Sequence, residues 1–234
     1  MNKIICTICA RKGSSGLKNK NILKINNKKL IEYTIDIAIK SKIFDHIALS
    51  SDIKFSEQFK RKYRDIYFYN RPKKLSGPKI GKVEVIRDLL ISAENKTKTN
   101  FEFIYDLDVT SPLRSLSDIK KSINKFIKNR NSTNLVSVTP AHKNPYFNLL
   151  VLKNNKLELL KKTNKNYLSR QTSPKVFEMN ASIYIWRRKY LLKTDKIIDR
   201  NTIYYEMPRQ KSIDIDDKFD FFIVKTLIEK NNKL

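Results

Sequence analysis

The sequence predicts an α/β fold, a doubly wound and mostly parallel sheet, on three observations. Short apolar runs alternate with amphipathic stretches of helical spacing. A basic, glycine-bearing turn, ARKGSSGLKNKN over residues 10–21, directly follows the first apolar run. Acidic residues stand one position apart at Asp106/Asp108 and at Asp214/Asp216. In an open parallel sheet the ligand edge is the carboxyl end of the strands, which is where such a turn and the Asp106/Asp108 pair would meet. With 234 residues, 40% of them hydrophobic, the chain can bury one substantial core plus a small appendage; two equal domains are not expected.

The elements follow in order. Strand 3–9 leads through the turn to a helix near 28–42, where Leu30, Ile31, Thr34, Ile35, Ala38 and Ile39 keep helical spacing. Strand 46–50, a helix near 53–63 and strand 65–69 follow. Arg71-Pro72 opens a long loop reaching Lys82, which holds Gly77 and Gly81. A helix near 83–94 carries Val85, Ile86, Leu89 and Leu90, and strand 102–107 ends at Asp108. The next helix, near 116–129, starts at Ser115 or Ser117, and strand 134–139 completes the regular rhythm. Segments 146–152 and 156–160 then read as a hairpin around Asn154-Asn155, and 163–175 is polar. Residues 140–180 are therefore expected to form an insertion too short to bury a core alone, packing on a partner. Residues 1–139 and 181–234 form the main domain, closing with strands 181–186 and 202–206, the turn at 212–217 and a helix to about 230.

Charge and cysteines exclude some classes. A formal net charge of +26 invites a nucleic-acid partner. Lysine is spread over the whole chain, however, and falls on polar helix faces such as Lys120, Lys121, Lys125 and Lys128, with no basic tail, zinc-finger spacing or RNP-type motif. No nucleic-acid partner is expected. No stretch approaches the ~20 apolar residues of a membrane span, and Met1-Asn2-Lys3 runs straight into a strand, so the protein is expected in the cytoplasm and not at a membrane. Cys6 and Cys9 form a C-x-x-C, but three residues apart in a strand they face opposite sides and read as small hydrophobes.

The turn at 10–21 holds two of only four glycines, together with Arg11, Lys18 and Lys20. Small residues let backbone N–H groups approach phosphate oxygens while the cations supply charge, so the turn reads as a nucleoside triphosphate loop. It has neither the Gly-Lys-Ser/Thr of a Walker loop nor the third glycine of a dinucleotide fingerprint. On spacing alone a plain basic strand-to-helix turn remains the alternative. In an extended segment Asp214 and Asp216 point the same way, with Ile213 and Ile215 facing the core, and two such carboxylates suit Mg²⁺. The alternatives are a helix cap at Asp216 or Asp217, a turn cap at Asp108 and a paired, partly buried Asp106.

The chain resembles the CMP-nonulosonate synthetases, cytidylyltransferases that activate sialic-acid-like nine-carbon sugars. The resemblance runs nearly end to end through five ordered motifs: ARKGSSGLKNKN, Ser41-Lys42-Ile43-Phe44-Asp45, TSPLR at Thr110 to Arg114, Asn180 to Ile185, and SIDID at Ser212 to Asp216. DLDVTSPLR, the run Asn144-Pro145-Tyr146-Phe147-Asn148 and Met179-Asn180-Ala181-Ser182 are similar to the legionaminic-acid branch; sialic acid enzymes usually have Gln-Pro before TSPLR. Sibling enzymes for sialic or pseudaminic acid are the alternatives, with a basic nucleic-acid-binding protein behind them. The Arg-x-x-Ser-x-Arg-Leu-Pro pattern of eight-carbon sugar enzymes is absent.

The resemblance implies a Rossmann-like fold of nucleotidyltransferase type and a homodimer formed through the insertion. It implies CTP over the first loop, with Arg11 and Lys20 on the phosphates, Asn21 and Arg71 near base and ribose, and Ala10, Gly13, Ser14 and Lys82 completing the nucleotide site. It implies Mg²⁺ on Asp214 and Asp216. The sugar would meet Asp108, Ser111, Arg114, Asn180, Arg170 and Gln171, with Arg170 reaching a neighbour's site. Arg11, Lys20 and Asp108 are the catalytic candidates, and Asp108 or a metal-bound water would take the hydroxyl proton, since neither His46 nor His142 stands at a matching position. The family's usual GSKG is Gly13-Ser14-Ser15-Gly16 here, so one phosphate-facing lysine is missing, and Lys18, Lys79 or Lys82 would compensate.

Overall fold

The computed structural model describes residues 2–13, 16–165 and 167–231. Ser14, expected on the nucleotide, and Ser15 lie outside the described residues. The chain runs β1 (Ile4–Ala10), a small hairpin of β2 (Lys24–Ile25) and β3 (Lys28–Lys29), α1 (Leu30–Ser41), β4 (His46–Ser51), α2 (Glu57–Lys62), β5 (Tyr67–Asn70), α3 (Lys82–Thr97) and β6 (Phe103–Leu107). It continues through α4 (Leu116–Lys128), β7 (Asn134–Pro140), a second hairpin of β8 (Leu150–Lys153) and β9 (Lys156–Leu159), β10 (Phe177–Arg187), α5 (Arg188–Leu191), β11 (Thr202–Glu206) and α6 (Lys218–Asn231).

Seven strands make the main sheet in the order β11-β7-β10-β6-β1-β4-β5. β10 runs antiparallel to both its neighbours; the other pairs are parallel. One face is covered by α1, α2, α4 and α6, whose Ile31, Ile35, Phe59, Ile123, Phe126 and Val224 join a core with Ile8 and Tyr105. The other face is covered by α3, through Ile86, Leu89 and Leu90, with Trp186 and Ile104 beneath. This is the doubly wound, mostly parallel architecture that the alternating pattern predicts. Cys6 packs into the first core and Cys9 against the second, on opposite sides of β1 as their spacing requires, and both thiols are free.

Local chemistry sets the helix ends. At α4 the Ser115 hydroxyl accepts from Asp118 N while Asp118 Oδ2 accepts from Ser115 N at 2.8 Å, a reciprocal cap that fixes the start at Ser115. At α6 the capping carboxylate is Asp217, whose Oδ1 accepts from the amides of Phe219 and Asp220 at 2.7 and 2.9 Å. The cap expected at Asp216 or Asp217 thus falls on Asp217, and neither Asp214 nor Asp216 is used for it.

Several boundaries differ from the sequence pattern: the helix expected near 53–63 starts only at Glu57, capped by the Ser56 hydroxyl, which accepts from Phe59 N at 3.2 Å, and two further differences have local causes. The strand expected at 146–152 begins only at Leu150, because residues 147, 148 and 149 donate their amides to the Asn144 carbonyl in a tight turn, and the Asn144 side chain accepts from Tyr146 N. Asn154 and Asn155, at φ 50° and 58°, make the hairpin turn. The strand expected at 181–186 extends back to Phe177 through a bulge: Ala181 sits at φ 52°, register shifts between Met179 and Tyr184, and the Ser137 hydroxyl fills the gap by accepting from Ile183 N at 2.8 Å.

Candidate active site

At the carboxyl edge of β1 and β6 lies a cavity of about 310 Å³. Its wall gathers Arg11, Lys20, Asn21 and Arg71 with Lys82, Asp108, Asp214 and Asp216, eight of the residues singled out from the sequence, although they come from five separate stretches of chain. Gly16, Thr110 and Cys9 complete much of the lining.

The basic turn is held open around this space by its own side chains. Asn21 is buried and donates from Nδ2 to the Arg11 carbonyl at 2.9 Å, folding the turn back on itself. Lys20 donates at 2.8 Å both to the Ile215 carbonyl and to Asp216 Oδ1, tying the turn to the SIDID segment. A Cβ built on Gly16 would stand 2.2 Å from the Asp216 carbonyl oxygen, so only glycine allows the turn to lie against that segment. Arg71, 6% exposed, is fixed by Ser50 through Nε to the hydroxyl at 3.2 Å and Nη2 to the carbonyl at 3.0 Å.

The two acidic pairs sit in contrasting surroundings. Lys82 Nζ donates to Asp106 Oδ2 at 3.0 Å and to Asp108 Oδ2 at 2.6 Å. Burial works against ionisation of Asp108, but the Lys82 ammonium and the Thr110 N–H and hydroxyl outweigh it and hold the carboxyl down at about 2. Asp214 has no such cation beside it. Burial, then the negative charge of Asp108, pushes it up to about 6 against the pull of Thr110 and Lys20. Its Oδ1 is buried without a hydrogen-bond partner among the described residues.

That orphaned oxygen is what a hard cation would satisfy. Among the described residues there is no cluster of three or more His, Cys, Asp or Glu side chains able to hold a metal. Mg²⁺ does not need one, because it binds through one or two carboxylates and completes its octahedron with phosphate and water. Asp214 and Asp216 fit that requirement.

Several expected contacts lie elsewhere. Arg114, expected at the sugar, is 4% exposed; its guanidinium donates to the Ser182 hydroxyl at 3.0 Å, the Thr34 hydroxyl at 3.2 Å and the Asp108 carbonyl. It is a buried clamp that fixes the loop carrying Asp108. Asn180 is equally internal, accepting from Ser137 Oγ at 2.6 Å and donating to Ser212 Oγ at 2.8 Å, and so anchors the SIDID turn. Ser111 is fully buried, its hydroxyl without a partner among the described residues. Ala10 is buried with its carbonyl accepting from Ser51 Oγ at 2.6 Å, and Gly13 has none of the described residues within 4 Å of a would-be Cβ. Arg170 and Gln171 line a different cavity, of about 290 Å³, with Glu206 and Phe177. Lys82, read as the end of a loop, is instead the first residue of α3. Sequence reasoning passed over Thr110 as a partner of Asp108, though it stands inside the TSPLR motif, and it had no signal for the contact of Gly16 with Asp216.

The chain is similar to known proteins over nearly its whole length. A CMP-N,N'-diacetyllegionaminic acid synthase of Campylobacter jejuni is 45% identical over 232 residues, covering 99% of this chain and 97% of that protein. The post-translational flagellin modification protein B of Campylobacter coli is 41% identical over the same shares. The structure of a CMP:2-keto-3-deoxy-manno-octonic acid synthetase complexed with CTP superposes with a TM-score of 0.67 over 98% of this chain and 99% of that one; at 14% identity it speaks for the fold alone. The cytidylyltransferase family matches residues 5–229, taking in both the basic turn and the SIDID segment that Lys20 ties together, and with the relatives above this makes the chain a member of that family of nucleotidyltransferases.

Proposed function

We propose that the protein transfers CMP from CTP to the anomeric hydroxyl of a nine-carbon, sialic-acid-like sugar acid, N,N'-diacetyllegionaminic acid, and releases pyrophosphate. The observation that carries this reading is the cavity at the sheet edge, where Arg11, Lys20 and Arg71 converge with the unsatisfied Asp214 oxygen. A triphosphate and a divalent cation would use both. The choice of sugar is supported by the likeness to the legionaminic acid synthase over 99% of the chain.

In this reading the triphosphate lies along the basic turn with Arg11 and Lys20 on its oxygens, while Asn21 and Arg71 stand on the base and ribose side. Asp214 and Asp216 would hold Mg²⁺, which supplies Lewis-acid stabilisation of charge on the phosphates. The sugar hydroxyl forms the new bond to the α-phosphorus and the bond to pyrophosphate breaks. Charge grows on the α-phosphoryl and leaving-group oxygens, so the fixed cations of the turn act by electrostatic stabilisation and in-line positioning. Asp108, its carboxyl lowered and its Oδ atoms held by Lys82 and Thr110, would serve as an orienting acceptor for the sugar.

The second half of the reading is a homodimer in which the insertion reaches a neighbour's site. Leu152 and Leu157 on β8 and β9 are 66% and 68% exposed, an apolar face suited to a second copy. Arg170 of one subunit would then meet the sugar carboxylate at the other's cavity. Mixing Arg170→Ala and Lys20→Ala proteins is expected to restore activity through hybrids with one intact site; no recovery from exchanged subunits would place the whole site within one chain.

The test of the activity is pyrophosphate release with each nucleoside triphosphate, Mg²⁺ and a panel of nonulosonic acids. CTP with the diacetylated sugar is expected to give the highest kcat/KM. Equal turnover with ATP or GTP would overturn the reading.

A further inference from the structure

Lys82 opens α3, directly after the loop that holds Gly77 and Gly81. Its ammonium bridges Asp106 and Asp108 and lies 4.5 Å from the centre of the Tyr184 ring. Asp106 is wholly buried, and its second oxygen takes the Thr7 hydroxyl at 2.9 Å, so this carboxylate seats the ammonium and faces nothing else. Asp108 is placed differently. Its Oδ1 accepts from Thr110 N at 3.2 Å and Thr110 Oγ1 at 2.9 Å, whereas Oδ2 has Lys82 as its only partner among the described residues. The side chain keeps 18% of its surface and borders the cavity. A carboxylate oxygen has room for two donors, so Oδ2 retains one acceptor position. The Asp108 backbone is pinned as well, through its amide to the Ser182 carbonyl at 3.3 Å and its carbonyl to Thr34 Oγ1 at 3.2 Å.

One cation set against two carboxylates has little net attraction for a polyphosphate. It is well suited to a neutral ligand group. We propose that Lys82 is a positioning residue of the sugar site: it locks the Asp108 carboxylate in one orientation, and the free acceptor position of Asp108 then receives a hydroxyl or amide N–H of the acceptor sugar. The nucleotide is left to Arg11, Lys20, Asn21 and Arg71. This rests on the proposed function and changes the part that Lys82 plays in it, from nucleotide contact to keeper of sugar selectivity. Deleting the ammonium frees Asp108 to turn and leaves the phosphate-binding cations untouched.

Lys82→Met also strands the buried Asp106 charge, so the compensated pair Lys82→Met/Asp106→Asn is measured beside it. Both variants are expected to raise the sugar KM roughly tenfold or more, the loss of a charge-assisted hydrogen bond, while the calorimetric Kd for CTP stays within about twofold of wild type. Adding Asp108→Asn to Lys82→Met is expected to raise the sugar KM no further, and Lys82→Arg to recover part of the loss. Weaker CTP binding at an unchanged sugar KM, in the compensated variant, would overturn the proposal and return Lys82 to the nucleotide. Wild-type protein that releases no pyrophosphate with any nonulosonic acid would overturn the underlying function as well, and that result is seen before any substitution is made.

Discussion

Asp106/Asp108 and Asp214/Asp216 share a spacing, an edge of the sheet and, through Asp108 and the SIDID pair, a cavity, yet they are different instruments. The first pair is bridged from within by Lys82 and finished by Thr7 and Thr110, so its member at the cavity, Asp108, is an acceptor of fixed direction. The second pair is left incomplete. Among the described residues Asp214 keeps a buried oxygen with no hydrogen-bond partner, and the carboxylate of Asp216, 74% exposed at its side chain, is engaged by Lys20 alone. Two carboxylates one residue apart therefore carry no fixed chemistry; what decides is whether the fold delivers a cation to them or leaves one to be bound.

The sharpest way to separate the pairs is to remove one charge from the second. Asp214→Asn or Asp216→Asn is expected to lower kcat by roughly a hundredfold or more with the fold intact, as expected for a lost ligand of a hard cation. Circular dichroism checks the fold and a Mg²⁺ titration of pyrophosphate release checks the cause. Unchanged Mg²⁺ dependence in both variants would make the SIDID segment a structural turn only.

The contact between the basic turn and the second pair can be broken without touching charge. Gly16→Ala places a Cβ against the Asp216 carbonyl, where the built distance is 2.2 Å, whereas Gly13→Ala meets nothing within 4 Å among the described residues. Gly16→Ala is expected to lower stability by roughly 1–3 kcal/mol and to raise the KM for CTP, read by thermal melting and initial rates. Equal melting of the two alanine variants would mean that the turn does not lie on Asp216.

A smaller effect distinguishes the pairs by pH. Asp214 is raised from 3.8 to about 6. A carboxyl raised in the folded state adds stability below its unfolded value and loses it as pH rises through the folded value. Its contribution is thus lost between about pH 4 and pH 6, and ligand-free Asp214→Asn is expected to melt roughly 3–6 °C above wild type near neutral pH, with the gap closing toward pH 4. Asp108, lowered to about 2, has the opposite sign: its contribution is present above about pH 4 and is lost only as the pH falls toward 2. A gap that widens in acid would contradict the assignment of Asp214 as the uncompensated carboxyl.

The smallest expected effect is on selectivity. Asp108→Gln adds a donor where the ionised carboxylate only accepts. It is expected to narrow the kcat/KM preference for the diacetylated sugar over N-acetylneuraminic acid by a few-fold. An unchanged ratio with a lower melting temperature would leave Asp108 as a cap of the Thr110 turn and nothing more.

Much of this architecture is legible in the chain because it is periodic. The alternation that buries Leu30, Ile31, Ile35 and Ala38 on one face of α1, and the apolar runs of β1, β6 and β11, follow from local spacing. What is not local is not legible. The bulge at Ala181, where β10 shifts register against β7, is stabilised by Ser137, more than 40 residues away. Arg114 and Asn180 sit in site-like motifs, yet their donors and acceptors are taken up by Thr34, Ser182, Ser137 and Ser212, and only the tertiary structure reveals that they hold the site's loops and do not face the cavity. The same holds for Lys82, which meets Asp106 and Asp108 across separations of 24 and 26 residues.

The contrast between the two pairs is tested most directly by Mn²⁺ binding in the presence of CTP, followed by electron paramagnetic resonance in wild type, Asp108→Asn and Asp214→Asn. Asp214→Asn is expected to weaken Mn²⁺ binding roughly tenfold or more and Asp108→Asn to leave it within about twofold. Loss of Mn²⁺ binding in Asp108→Asn with none in Asp214→Asn would contradict the division of labour and put the cation on the pair that Lys82 holds.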